Sequence, residues 1–359
     1  MSQDMDTKFV PGRGILRSGL ATRLKALRPK PSQVFVVMDR KAEEVVGRKV
    51  VLAVKDAGWD VTVLLAPIGE ARKTMESAER LASQLVRQGA DRKSLLIAVG
   101  GGVTSDLAGF VAANLFRGIS WGVIPTTLLS MADASIGGKT AVNLKEGKNL
   151  FGAFHFPKFV VSDVQMLRTL PLREWRSGMG EVLKTAMLSG AGMYRKLINT
   201  TTAKLQRGGV ELGELVGQCA RYKQKLVRRD PLEGGERKLL NLGHTFGHAL
   251  ETSAGPRKLG HGEAVGLGLL CALEMSVEQD LCRASYASEV REFLQQNGMK
   301  TRFPGDVPSK RALEKLLLRD KKASRGRLDL ILPVKPGTNL LVQGVDASEV
   351  AAGMRRYLG

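Results

Sequence analysis

Leu95-Leu-Ile-Ala-Val-Gly-Gly-Gly-Val-Thr-Ser-Asp106 is the stretch on which the reading of the fold turns. Five apolar residues rich in β-branching read as a buried strand, and three glycines then carry the chain into a helical pattern. A strand running through a glycine turn into a helix is the unit of a parallel, helix-covered sheet. The same pattern repeats on both sides. Val34-Phe-Val-Val-Met38 reads as a strand followed by a helix over 41–57. Val61-Thr-Val-Leu-Leu65 reads as another, followed by a helix over 74–88. Gly122-Val-Ile124 and Phe159-Val-Val161 are shorter strand candidates.

After Thr169-Leu-Pro171 the pattern becomes helical from Arg173 to Leu318, with a short hairpin expected over 327–342 around Pro336-Gly337 and a last helix over 347–357. The expected architecture is therefore a Rossmann-like α/β domain, 1–165, followed by an all-α domain, 166–359. Ligands are expected at the carboxyl ends of the strands, facing a cleft between the domains.

Composition narrows the function. The 359 residues suit about two domains. Hydrophobic residues at 43% and charged residues at 25% are those of a globular protein. The net charge of +20 raises the question of nucleic-acid binding. The excess is dispersed, however, as in Arg221-Tyr-Lys-Gln-Lys225 and Arg319-Asp-Lys-Lys322, and aromatic residues are only 5%, so stacking platforms are scarce. A basic surface around an enzyme with anionic ligands is the preferred reading, with neither nucleic acid nor membrane as partner. Three cysteines without CxxC spacing and the absence of a signal-peptide pattern point to a cytoplasmic protein. The longest apolar stretch, from Ala264 to Met275, is too short to span a bilayer.

The glycine turn admits two readings: a tight strand-to-helix connection, or backbone amides approaching a pyrophosphate at a helix N-terminus. Asp39 after the first strand, where a carboxylate would meet a ribose, favours the second, as does Gly69-Glu-Ala-Arg-Lys73 after the next. Further on, Pro125-Thr-Thr127, Asp133-Ala-Ser-Ile-Gly-Gly-Lys139 and Gly147-Lys-Asn149 set lysines and an asparagine on glycine-bearing loops, chemistry suited to a phosphate beside a polyol. In the helical part, three of the four histidines cluster: His244, His248 and His261. His244-Thr-Phe-Gly-His248 puts two imidazoles on one helical face but has Thr245 where a metalloprotease carries its glutamate. Glu181 from an earlier helix plus two of these histidines would leave open positions on a zinc-like ion, as a catalytic site needs. The glycines around them, Gly243, Gly247, Gly260 and Gly262, suggest close approach to a ligand.

Taken together, these residues resemble the 3-dehydroquinate synthase family. The resemblance runs from Gly12-Arg-Gly-Ile-Leu16 to Asp320-Lys-Lys322 and is densest at Gly100-Gly-Gly-Val103, Arg117-Gly118, Ser135-Ile-Gly-Gly-Lys-Thr140, Gly147-Lys-Asn-Leu150, Gly180-Glu181, Leu240-Asn-Leu-Gly-His-Thr-Phe-Gly-His-Ala249 and His261-Gly-Glu-Ala-Val265. It implies conversion of 3-deoxy-D-arabino-heptulosonate 7-phosphate to 3-dehydroquinate and phosphate, with NAD and zinc or cobalt as cofactors.

The metal ligands it implies are Glu181, His244 and His261. NAD contacts fall on Asp39, Gly69, Glu70, Ala71, Arg72, Lys73, Gly102, Val103, Thr104, Ser105, Asp106, Thr126, Thr127, Lys139, Lys148, Met166, Leu167, Arg168 and Thr169. Asp133, Lys139, Asn149, Lys184, Lys223, Arg237, Asn241 and His248 surround the substrate. Arg117 matches an arginine lent across a homodimer interface. The chain departs from the family pattern at Pro231, Phe156 and Ile68, none of which is a metal ligand or a matched lysine. The competing readings are another sugar phosphate cyclase, making a valiolone or an inosose, and a metal-dependent polyol dehydrogenase.

Overall fold

The computed structural model describes residues 7–207, 210–255, 257–318 and 326–359, so the Asp320-Lys-Lys322 motif lies outside the described residues. The chain divides into two compact units after Leu170, and a later stretch ending at Gln224 belongs with the first.

Among the described residues the first unit carries eight strands: β1 (Lys8–Gly12), β2 (Val34–Met38), β3 (Val61–Leu65), β4 (Leu95–Gly100), β5 (Ser120–Pro125), β6 (Lys139–Leu144), β7 (Gly147–Phe154) and β8 (Phe159–Asp163). Six of them form one sheet in the order β1-β8-β5-β4-β2-β3, and every pairing in it is parallel. β2, β4 and β8 are buried along their whole length, which is why they read as continuous apolar runs rather than as alternation. The chain runs outward from β2 to β3 and then returns to the other side of β2 as β4. That reversal opens a crevice at the carboxyl ends of β2 and β4, the place where open α/β sheets receive ligands.

The helices follow expectation with local adjustments. Thr74 caps the helix Met75–Arg87 by accepting from the Ser77 amide. The expected helix over 41–57 is interrupted by a π-turn at Glu43–Gly47. β1 was not expected, and neither was the antiparallel hairpin of β6 and β7. Lys139 and the Gly147-Lys-Asn149 segment therefore lie on strands, not on loops.

The unit boundary also differs from the expected break after residue 165. Asp163 accepts from the amides of Gly14, Leu16 and Gln165 at 2.8, 3.0 and 3.0 Å. This ties the turn Val164–Thr169 to the end of β8 and to the start of the chain. Likewise the first part of the helix Val210–Arg229 stays with the sheet: Gln224 Nε2 donates to the Thr7 carbonyl at 3.3 Å.

Among its described residues the second unit is helical except for one hairpin, β9 (Arg327–Lys335) and β10 (Thr338–Asp346), which turns at Pro336-Gly337 as expected. Its central helix, His261–Glu278, is buried along most of its length. No helix among the described residues is long and apolar enough to cross a membrane.

Candidate functional site

In the second unit the helices Leu172–Ser189, His244–Ala254 and His261–Glu278 meet at glycines. A Cβ on Gly262 would lie 1.8 Å from the Ser177 carbonyl oxygen, and one on Gly180 would lie 2.1 Å from that of Gly262. A Cβ on Gly268 would lie 2.0 Å from the Gly243 carbonyl oxygen. At Gly180, Gly262 and Gly268 the missing Cβ therefore lets helix backbones touch one another, whereas one on Gly260 would meet only Glu263 Oε2, at 3.7 Å. The residues next to them, Glu181, His244 and His261, are drawn together as a result.

The Nε2 atoms of His244 and His261 lie 3.2 and 3.1 Å from Glu181 Oε1. One donor atom from each of the three residues falls within 4.8 Å of the others. The remaining imidazole nitrogens are occupied. His244 Nδ1 is 3.2 Å from the Leu242 carbonyl, and His261 Nδ1 is 3.0 Å from Glu251 Oε2. Both Nε2 atoms are thereby turned toward the cluster. One carboxylate and two imidazoles, each imidazole steadied from behind, fit a zinc-like ion with open positions.

Lys184 Nζ lies 2.5 Å from Glu181 Oε2, and both side chains are buried. Burial opposes the charge on Glu181, but Lys184 and His244 outweigh it and hold the carboxyl well below its usual range. Burial would also lower the His261 imidazole, yet its bonds to Glu181 and Glu251 push it up to about 10. His248 stands edge-on to His244, with ring centroids 5.3 Å apart, and retains exposed surface. Its desolvation, together with the charges of His244 and His261, pushes it down to about 3.

The loop before His244 is organised by Asp230, which accepts from the amides of Gly234, Gly235 and Arg237 at 2.8, 2.7 and 3.0 Å. Arg237 is buried and donates to the Pro231 carbonyl at 2.5 Å. A backbone carbonyl does this work, so the departure at Pro231 leaves the contact intact. Asn241 donates to Glu233 and to the Lys238 carbonyl. The fourth histidine, His155, belongs to the first unit, where it stacks on Trp121 and contacts the Ile119 carbonyl.

In the first unit the expected nucleotide residues gather at the strand ends. Asp39 follows β2 and caps the next turn through the Ala42 amide. Its other oxygen accepts from Thr104 at 3.2 Å. Gly100 ends β4, and a Cβ there would sit 2.6 Å from Thr104 Oγ1 and 2.8 Å from Asp39 Oδ2. Gly102, Val103, Thr104, Ser105 and Asp106 open the helix Gly102–Asn114. Thr126 follows β5 and donates its amide to Gly100, while Thr127 approaches Gly101. Met166 and Leu167 are buried in the turn after β8, with Arg168 and Thr169 exposed beside them.

Lys73 is the buried centre of a second group. Its ammonium lies 2.7 Å from Asp106 Oδ2, 2.5 Å from Asn149 Oδ1 and 3.4 Å from Glu70 Oε1. Burial raises the Asp106 carboxyl despite the opposing pull of Lys73. Asn143, which sequence reasoning passed over, knits the group together: it donates to Glu70 and accepts from the Asn149 amide. Gly69, Ala71 and Arg72 are exposed on the turn before Lys73. Lys139 and Lys148 stand exposed on the β6–β7 hairpin. Elsewhere, Asp133 pairs with Lys223 at 2.9 Å. Arg117 is exposed on a turn where Phe116, Arg117 and Gly118 all take positive φ (52°, 67° and 117°), strained backbone for the first two.

Glu251 also escaped the sequence reading. The signal was available, because Glu251 stands seven residues after His244 on the same helical face.

Residues 63–177 match the family model described as 3-dehydroquinate synthase N-terminal, and residues 178–323 match its C-terminal counterpart. A 3-dehydroquinate synthase of Xylella fastidiosa (strain 9a5c) is 42% identical, over 81% of this chain and 75% of its own length. That of Nitrobacter hamburgensis is 38% identical over 99% of this chain and 94% of its own. Among solved structures, a 2-deoxy-scyllo-inosose synthase complexed with carbaglucose-6-phosphate, NAD+ and Co2+ superposes with a TM-score of 0.85 at 25% identity, covering 99% of each chain. The chain belongs to the 3-dehydroquinate synthase family.

Proposed function

We propose that this chain converts 3-deoxy-D-arabino-heptulosonate 7-phosphate to 3-dehydroquinate and phosphate. The observation that carries the reading is the convergence of Glu181, His244 and His261 within 4.8 Å, in a chain that matches 3-dehydroquinate synthases almost end to end. That near-complete match at 38% identity favours the heptulosonate over the substrate of an inosose synthase.

The reaction passes through oxidation of a secondary alcohol, elimination of phosphate, reduction of the ketone, ring opening and aldol closure. A zinc or cobalt ion on Glu181, His244 and His261 supplies Lewis acidity toward the sugar's oxygens, and NAD supplies a hydride acceptor that returns what it takes. In this reading Asp39 receives the ribose, and the amides of 102–106 receive the pyrophosphate. Glu70, Lys73, Lys139 and Lys148, with Thr126, Thr127 and the Met166–Thr169 turn, complete the cofactor's surroundings.

Lys184, already beside Glu181, holds a proton near the reacting oxygens. Arg237, with Lys223, offers cations to the substrate carboxylate. Asp133, Asn149, Asn241 and His248 hydrogen-bond the polyol. The substrate's own phosphate oxygen accepts the α-proton that the transient ketone acidifies. The setting is cytoplasmic, and the assembly is a homodimer in which Arg117 serves the second copy's phosphate.

Purified protein given the heptulosonate phosphate and catalytic NAD should release phosphate at every turnover with no NADH accumulating. Stoichiometric NADH with phosphate retained would make the chain a polyol dehydrogenase instead. For the dimer, Arg117→Ala and His261→Ala should each be inactive alone and recover up to about a quarter of full activity when mixed, since random exchange leaves half the dimers hybrid with one intact site. Confirmed subunit exchange without recovery would remove Arg117 from the shared site.

A further inference from the structure

The two imidazoles of the triad are held from behind in different ways. His244 Nδ1 meets a backbone carbonyl, that of Leu242, at 3.2 Å, a partner that no substitution at position 242 deletes. His261 Nδ1 meets a side chain, the Glu251 carboxylate, at 3.0 Å, and Glu251 lies one helix away, in His244–Ala254. Glu251 is partly buried, with 15% of its side-chain surface exposed, so water competes poorly for its oxygens.

We propose that Glu251 is the positioning residue for the metal site. By accepting from Nδ1–H of His261 it fixes the tautomer whose Nε2 lone pair points to Glu181 and His244, and it makes that nitrogen a stronger donor. It acts on the ion through His261, whose Nδ1 it meets. The inference rests on the metal reading above. It goes beyond that reading by making the two histidines unequal: one is oriented by the fold itself, the other by a replaceable charge.

The test uses the full chain, stripped of metal and titrated with zinc or cobalt against a chromophoric chelator. Glu251→Gln should weaken the ion's Kd about 10–100-fold. It should also shift the visible absorption of the cobalt-loaded protein, because the donor strength of His261 has changed, while the Tm of the metal-free protein stays at the wild-type value. Glu251→Ala should weaken binding at least as much. If both variants bind with wild-type Kd and wild-type cobalt spectrum while His261→Ala loses the ion, the role of Glu251 is overturned and the triad stands. Weaker binding with an unchanged spectrum and a lowered metal-free Tm would also overturn it, since Glu251 would then only support the fold. Wild-type protein that takes up neither ion would overturn the triad itself, and the inference with it.

Discussion

The two units gather their polar residues by opposite means. In the first, a parallel sheet does the gathering: Asp39 and Thr126 each follow a strand, Gly100 ends one, and neighbouring strands end side by side. Strand spacing of about 4.8 Å brings these residues together whatever their side chains are. In the second unit, three helices must touch before Glu181, His244 and His261 can meet, and glycine makes the contact possible. Gly102, at the helix start in the first unit, would have only the Ala134 methyl near an added Cβ, whereas Gly180, Gly262 and Gly268 in the second press against backbone carbonyls.

The largest test of this contrast is at the triad. Glu181→Gln, His244→Ala and His261→Ala should each lose bound metal and drop turnover by at least about a thousandfold, since each removes one of three donors. Metal analysis beside a phosphate-release assay reads both. Full occupancy in any one variant would exclude that residue from the ligand set.

Next in size is Gly262→Ala. Its new methyl would meet the Ser177 carbonyl at 1.8 Å, so the helices must separate. Overpacking of this kind costs about 3 kcal/mol or more. Chemical denaturation should show that loss, and metal affinity should fall with it. A variant of wild-type stability would mean that the close helix contact does not assemble the triad.

The smallest effect, and the sharpest contrast, belongs to Gly102→Ala. Here the added Cβ meets only the Ala134 methyl, at an ordinary 3.7 Å. Stability should stay within about 0.5 kcal/mol of wild type. The Kd for NAD should rise about tenfold, since a methyl would intrude where a pyrophosphate approaches the helix start. Unchanged NAD binding, measured by calorimetry, would reduce this turn to a strand-to-helix connection.

Much of this was legible beforehand. β2, β4 and β8 were visible as apolar runs because burial on both faces demands them. The β9–β10 turn was visible because Pro336-Gly337 interrupts two apolar segments. The β6–β7 hairpin was not, since its glycines and charges resemble a loop. Its strand conformation comes from pairing with each other, and from contacts such as that of the Asn143 amide with the Lys73 carbonyl at 2.7 Å.

What the sequence determined by itself was whatever depends on neighbours along the chain: the alternation of strands and helices, the glycine turn after β4, the placing of His244 and His248 on one helical face, and the family. What only the tertiary structure decided was whatever depends on residues far apart in the chain. Glu181 and His261 are 80 positions apart and Lys73 and Asn149 76, yet each pair is in hydrogen-bond contact. Spacing along the chain cannot encode such meetings. They follow from which helices can approach closely, and from which buried charges, once out of water, must find a partner.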